Sequence, residues 1–252
     1  MWSPDSVRTP QYYYFNFIDM SKFTKKIGVI GGMGSEASAK YYNDLIKICQ
    51  KKYFAVQDRD YPAIIIYNLP LEDFDENGNF NPVTATKQLK EAAIGIEKAG
   101  ADFIVIVCNT IHALYDKVQE SVSIPVISLI KEVGDSVVKQ NCKVVGLLTS
   151  DSTKNLKLYV NELAKHNIKS IETTKEEQLE MNNIVLKAMS GKNTHTETRQ
   201  VKKIISRMVS DGAQAIILGC TEIPLVISQE NTDVLVFDST KILAEVALVK
   251  AL

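Results

Sequence analysis

GADFIVIVCNT (100–110) and GAQAIILGCTE (212–222) are two copies of one pattern. In each, a Gly-Ala pair closes a helical stretch, a near-continuous apolar run follows, and a Cys stands at the same place. Apolar runs of this length, flanked by helical periodicity, read as strands of a parallel sheet covered on both faces. Upstream of each copy lies another matched pair, GVIGGMGS (28–35) and GLLTSDST (146–153), at comparable separations from the Cys. The chain is therefore expected to hold two copies of one α/β unit, related by a pseudo-two-fold axis.

Working outward, strands are expected at 26–31, 62–67, 102–107, 124–129, 143–149, 168–172, 214–219 and 234–237. Helices are expected at 35–51, 84–99, 109–119, 130–140, 152–166, 176–190, 197–211 and 239–250. The 84–99 segment shows the reasoning. Leu89, Ala92, Ala93 and Ile96 recur at helical spacing, Thr84 can cap the start, and Gly100 ends the run. This regular alternation is the mark of parallel α/β architecture. The expected division is a first unit of 25–124 plus 234–252 and a second of 125–233. Residues 1–24 read as an N-terminal extension, with Pro4, Pro10 and the aromatic cluster Tyr12, Tyr13, Tyr14, Phe15 and Phe17 showing no sustained period.

Composition narrows the function. The 252 residues are 45% apolar and 23% charged, an ordinary globular balance. A formal net charge of −1 gives no electrostatic footprint for nucleic acid. Runs such as Phe103 to Val107 are too short to span a bilayer, and no secretory leader is evident. A cytoplasmic protein is expected. The cysteines at 49, 108, 142 and 220 lack CxxC spacing and read as thiols. Cys49 and Cys142 have no polar companions and read as packing residues.

Cys108 and Cys220 read differently. Both fall one residue past an expected buried strand, where ligands bind in open parallel sheets. N–H groups at the start of a following helix favour a thiolate and attract a carboxylate. If the two carboxyl edges face one another, the thiols stand across one cleft. One then removes an α-proton while the other delivers a proton to the opposite face. Asn109, Thr110, Thr221 and Glu222 supply donors and acceptors for a substrate ammonium and carboxylate. The turn Gly31-Gly32-Met33-Gly34 can present backbone N–H groups to a carboxylate, and the hydroxyl-rich loop from Thr149 to Thr153 takes the equivalent place in the second half. The glycine turn lacks both G-x-G-x-x-G spacing and a P-loop Lys, so no nucleotide is expected.

At IGVIGGMG (27–34), VCNTIH (107–112), GLLTSDST (146–153) and GCTEIP (219–224) the chain resembles the aspartate/glutamate racemase family, from Lys26 to Ala247. The resemblance implies two Rossmann-like domains with the active site in the cleft between them, catalysis without pyridoxal phosphate or metal, and a homodimer. It implies Cys108 and Cys220 as the acid/base pair, with Met33, Gly34, Asn109, Thr110, Thr149, Thr221 and Glu222 lining the substrate site. Two departures bear on specificity. Aspartate-specific members carry a Pro-Asp-Arg segment after the second strand; here Asn68 to Asp75 holds no basic residue. Ser190 takes that subgroup's second basic position, between Lys187 and Lys192. Bidentate Arg recognition of a carboxylate is hard to replace, so the pattern is closer to a broad-specificity branch.

Other readings compete. Cys108, His112 and Cys220 are a partial zinc set lacking a fourth ligand at suitable spacing. A Cys/His hydrolase would leave the second Cys idle, as would a single-Cys decarboxylase. A hydantoin racemase, or a two-lobed amino-acid-binding protein without catalysis, would share the architecture.

Overall fold

The computed structural model describes residues 22–74 and 80–252, so the expected extension, up to residue 21, lies outside the described residues. The first half runs β1 (Ile27–Gly31), α1 (Ser35–Tyr53), β2 (Ile64–Asn68), α2 (Pro82–Lys98), β3 (Phe103–Ile106), α3 (Tyr115–Gln119), β4 (Val126–Ile127) and α4 (Leu129–Lys139). The second runs β5 (Val144–Thr149), α5 (Asp151–Asn155), α6 (Leu158–Ala164), β6 (Lys169–Ile171), α7 (Lys175–Met189), α8 (His195–Ser210), β7 (Ala215–Gly219), β8 (Leu235–Asp238) and α9 (Ser239–Ala251).

The strands form two parallel four-stranded sheets, ordered β2-β1-β3-β4 and β6-β5-β7-β8. The order is the same in both, so the sequence repeat is a repeat of topology. It extends to packing detail. A Cβ on Gly28 of β1 would collide with Ile96 of α2; one on Gly146 of β5 would sit 2.6 Å from Ile216 and 2.7 Å from Met208 of α8. At both places the missing side chain lets a neighbouring helix close on the sheet. Gly100 and Gly212, with φ of +88° and +101°, end α2 and α8 in the left-handed conformation that glycine adopts freely. The next polar residue is also equivalent: Asp102 Oδ2 accepts the Lys26 N–H at 2.6 Å, and Gln214 Oε1 accepts the Lys143 N–H at 2.6 Å.

Sheet membership divides the chain differently from the expected division. β4 pairs with β3 (Ile104 opposite Val126), so the first sheet extends past residue 125. β8 pairs with β7 (Ala215 opposite Leu235), so residue 234 onward does not return a strand to the first half. Four strands per half complete the repeat. What this segment returns to the first half is the helix α9, which packs on α1 and α4. There it joins a core cluster drawing Val29, Phe103 and Val105 from one sheet and Val145, Leu147 and Ile217 from the other, with Leu243, Ala247 and Leu248 between. The outer faces carry separate cores, one under α2 and one under α7 and α8. Each fully buried aliphatic side chain contributes about 1.5–3 kcal/mol, against about 1 kcal/mol net for a hydrogen bond. The shared core, more than polar contacts, fixes how the halves sit.

Three local expectations are corrected. α2 starts two residues early, because Asn81 caps it through the Val83 and Thr84 N–H groups and Pro82 occupies its first turn. β2 is not covered on both faces: as an edge strand it leaves Ile66 50% and Tyr67 41% exposed. The single helix expected over 152–166 is two helices, broken at Lys157, which has φ +53°. Among the described residues, no helix is long and apolar enough to cross a membrane.

Candidate functional site

β3 and β7 are the inner strands that deliver Cys108 and Cys220 to the carboxyl edges of their sheets. The chain does not turn straight into an α-helix after either Cys. A 3-10 turn over Thr110–Leu114 follows Cys108, and a shorter one over Ile223–Leu225 follows Cys220. The strong helix dipole expected at the thiols is therefore missing. Both cysteines are shielded from solvent, 3% and 4% exposed.

Side-chain contacts replace the dipole around Cys220. Its Sγ–H donates to Glu222 Oε2 at 3.1 Å, and the Thr221 hydroxyl donates to the same oxygen at 2.9 Å. Glu222 Oε1 accepts the Gly34 N–H at 3.3 Å. The glycine turn after β1 thus does offer a backbone N–H to a carboxylate, here one from the other half of the chain. Gly32, with φ +94°, makes the turn close against Leu69, whose backbone would meet any Cβ there at 2.6 Å. The Gly32 N–H goes to Ser38 Oγ at 2.9 Å.

The Cys108 loop is bound across the junction as well. Thr110 Oγ1 lies 2.8 Å from Thr153 Oγ1 and 3.2 Å from Ser150 Oγ, in the first turn and at the cap of α5. Asn109 Oδ1 accepts the Tyr159 hydroxyl at 2.5 Å, and its Nδ2 donates to Ser239 Oγ at 3.3 Å. Thr149, the last residue of β5, stands opposite Gly219, which immediately precedes Cys220. Met33 packs with Cys108 and Leu69 in one apolar cluster. Residues predicted from separate motifs are thus bonded across the junction in separate groups, Glu222 to Gly34 and Thr110 to Ser150 and Thr153.

The family model for Asp/Glu/hydantoin racemases matches residues 30–247. The chain belongs to this racemase family. It is 27% identical over 219 residues to the broad specificity amino-acid racemase RacX of Bacillus subtilis (strain 168), covering 87% of this chain and 95% of that protein. The crystal structure of an aspartate racemase homologue from Pyrococcus horikoshii OT3 superimposes with a TM-score of 0.77 at 32% identity, covering 90% of this chain and 99% of that one. The glutamate racemase of Francisella tularensis, solved with D-glutamate, shares the fold: TM-score 0.62, 22% identity, 88% of this chain and 79% of that one. As a member of the family the chain is an isomerase of the amino-acid racemase type.

His112, considered above as a zinc ligand, has a different place in this racemase. Its Nδ1 lies 2.8 Å from the Cys108 carbonyl oxygen and its Nε2 accepts the Leu129 N–H at 3.0 Å. Nδ1 is then the protonated nitrogen, and neither lone pair nor proton is left for metal or substrate. Burial holds its pKa below the ordinary histidine value, so the ring stays neutral. It fastens the Cys108 turn to the start of α4. Tyr159, Ser239 and Met189 were not anticipated. Met189, at the end of α7, reaches the first half, where a Cβ on Gly34 would lie 3.4 Å from its Cε. The hydroxyl run 149–153 hinted at the bonds to Thr110; nothing local marked the other three.

Proposed function

We propose that this racemase inverts the α-carbon of amino acids by proton transfer between Cys108 and Cys220, with no other cofactor, and that it accepts more than acidic side chains. The observation that carries the reading is the equivalence of the two thiols: same residue, same strand of the repeat, same sheet edge, each on a loop hydrogen-bonded to the other half of the chain. The thiolate of one Cys takes the α-proton as the C–H bond breaks, leaving a planar carbanion. The S–H of the other gives its proton to the opposite face. Charge and proton count balance, and the two sulfurs exchange roles in the reverse direction.

Glu222 is assigned the task of drawing the proton from Cys220, since its Oε2 accepts the Sγ–H. Substrate entry then separates Glu222 from Gly34, and a substrate carboxylate takes over the Gly34 N–H. Side-chain breadth follows from charge. No Lys or Arg stands between Asn68 and Thr86, a stretch carrying Glu72, Asp73, Asp75 and Glu76, and Lys187 is spent on Glu197 at 2.6 Å. A second substrate carboxylate would meet no cation from these segments. A homodimer, also implied by the resemblance, is open to sedimentation velocity.

The test is incubation of single enantiomers of a panel of amino acids in deuterated water, followed by polarimetry and proton NMR. Loss of optical rotation with α-deuterium uptake is expected, for neutral or basic side chains as well as acidic ones. Turnover of aspartate or glutamate alone would overturn the breadth; no α-exchange for any member would overturn the racemase reading.

A further inference from the structure

We infer that Tyr159 is a positioning residue that fixes the direction of the Asn109 amide, so that Asn109 presents only N–H to the substrate and selects a carboxylate at that end of the site. The inference rests on the racemase reading and adds to it a residue outside the recognised motifs.

The ring of Tyr159 lies between the two cysteine loops. On one side it packs so closely on Gly219 that a Cβ there would fall 2.6 Å from Cε2, and Gly219 immediately precedes Cys220. On the other side its hydroxyl reaches Asn109, which immediately follows Cys108. A single buried ring therefore touches both loops. Its direction comes from the break in the expected helix: the left-handed residue Lys157 separates α5 from α6 and lets α6 restart at Leu158 on a new course.

A primary amide has one acceptor end and one donor end, and their order decides what it can bind. With Oδ1 turned toward the phenol and one Nδ2 hydrogen on Ser239, the donor end of the amide keeps its second Nδ2 hydrogen for the substrate. Burial pushes the Tyr159 pKa upward, so the phenol keeps its proton and remains a donor throughout the working pH range. Without the hydroxyl, the amide is free to turn over and present its oxygen, which repels a carboxylate and accepts from a carboxamide.

The experiment compares wild type with Tyr159→Phe, which keeps the ring and removes one oxygen. The ligands are the amino acid showing the fastest α-deuterium exchange in wild type and its α-carboxamide, with affinities measured by calorimetry. The expected result is about a 10-fold loss of the preference for carboxylate over carboxamide, with KM for racemisation rising more than kcat falls. On an Asn109→Ala background the same substitution costs nothing further, because its effect passes through Asn109. Ser239→Ala is expected to shift the preference the same way by about threefold, and it decides the matter if Tyr159→Phe does not fold. Equal weakening of both ligands, or penalties that add on the Asn109→Ala background, would overturn the inference while the racemase reading stands. Absence of α-exchange in wild type would remove both.

Discussion

Cys108 and Cys220 occupy equivalent places in the repeat, yet the residues that follow them differ in charge. The Cys220 thiol donates directly to the carboxylate of Glu222, which Thr221 and Gly34 also hold. The Cys108 turn is built from neutral groups: Asn109, Thr110, and a histidine kept uncharged by burial and clamped to the Cys108 carbonyl. The repeat supplied a symmetric scaffold, and the residues immediately after each Cys made it asymmetric. A carboxylate in contact with the Cys220 sulfur means that the two directions of racemisation need not have equal rate-limiting steps.

The largest effect expected is from the sulfurs themselves. Cys108→Ala and Cys220→Ala each lower racemisation on the order of 1,000-fold or more. Each keeps α-deuterium exchange from a single enantiomer, the opposite one in the two variants. Chiral chromatography with NMR reads both properties, and normal racemisation by both variants ends the two-thiol mechanism. Glu222→Gln comes next. It keeps shape and removes the carboxylate, and is expected to slow exchange from the enantiomer served by Cys220 about 100-fold, sparing the other by comparison. Equal loss in both directions would show that the asymmetry has no kinetic meaning.

A smaller effect, on stability, tests the neutral side. His112→Ala removes both ring hydrogen bonds and leaves a void, at a cost of about 3 kcal/mol in denaturant unfolding. In wild type the buried imidazole refuses a proton that the unfolded chain accepts below about pH 6.5. Stability therefore declines as pH falls from there toward the lowered native pKa, and His112→Ala lacks that part of the decline. The smallest effect is expected at the start of α8, in the half that carries Cys220. Glu197 is buried, paired with Lys187 and bonded to Thr194, and these contacts draw its pKa down to about 2. Its stabilising contribution is complete above the ordinary value of 4.5 and is lost between there and about 2. The gap in melting temperature between wild type and Glu197→Gln should close over that interval; a constant gap would mean the charge is irrelevant.

Much of this molecule is legible in one dimension because the signals are local. All eight expected strands form, since a short apolar run between helical patterns has few other ways to bury itself. The Gly100 and Gly212 stops hold because they need only the conformation of one residue. The helix expected over 152–166 failed for the complementary reason: its apolar spacing is sound and carries no mark of the left-handed Lys157 that divides it and sets the course of Tyr159. The helical starts expected after Cys108 and Cys220 became 3-10 turns in the same way, as Thr110 and Glu222 were drawn to partners across the junction.

The order of residues alone determined the parallel α/β class, the duplication, the two matched cysteines and their polar neighbours, all of which are written in short-range periodicity and in comparison of the chain with itself. Tertiary structure alone decided that Val126–Ile127 and Leu235–Asp238 each complete their own sheet, that Glu222 answers Gly34, and that one tyrosine separates the two thiol loops. These contacts join residues 20 to 188 positions apart. They exist only because α1, α4, α6 and α9 bury a common apolar surface between the sheets, and no local pattern records which distant groups that burial brings within reach.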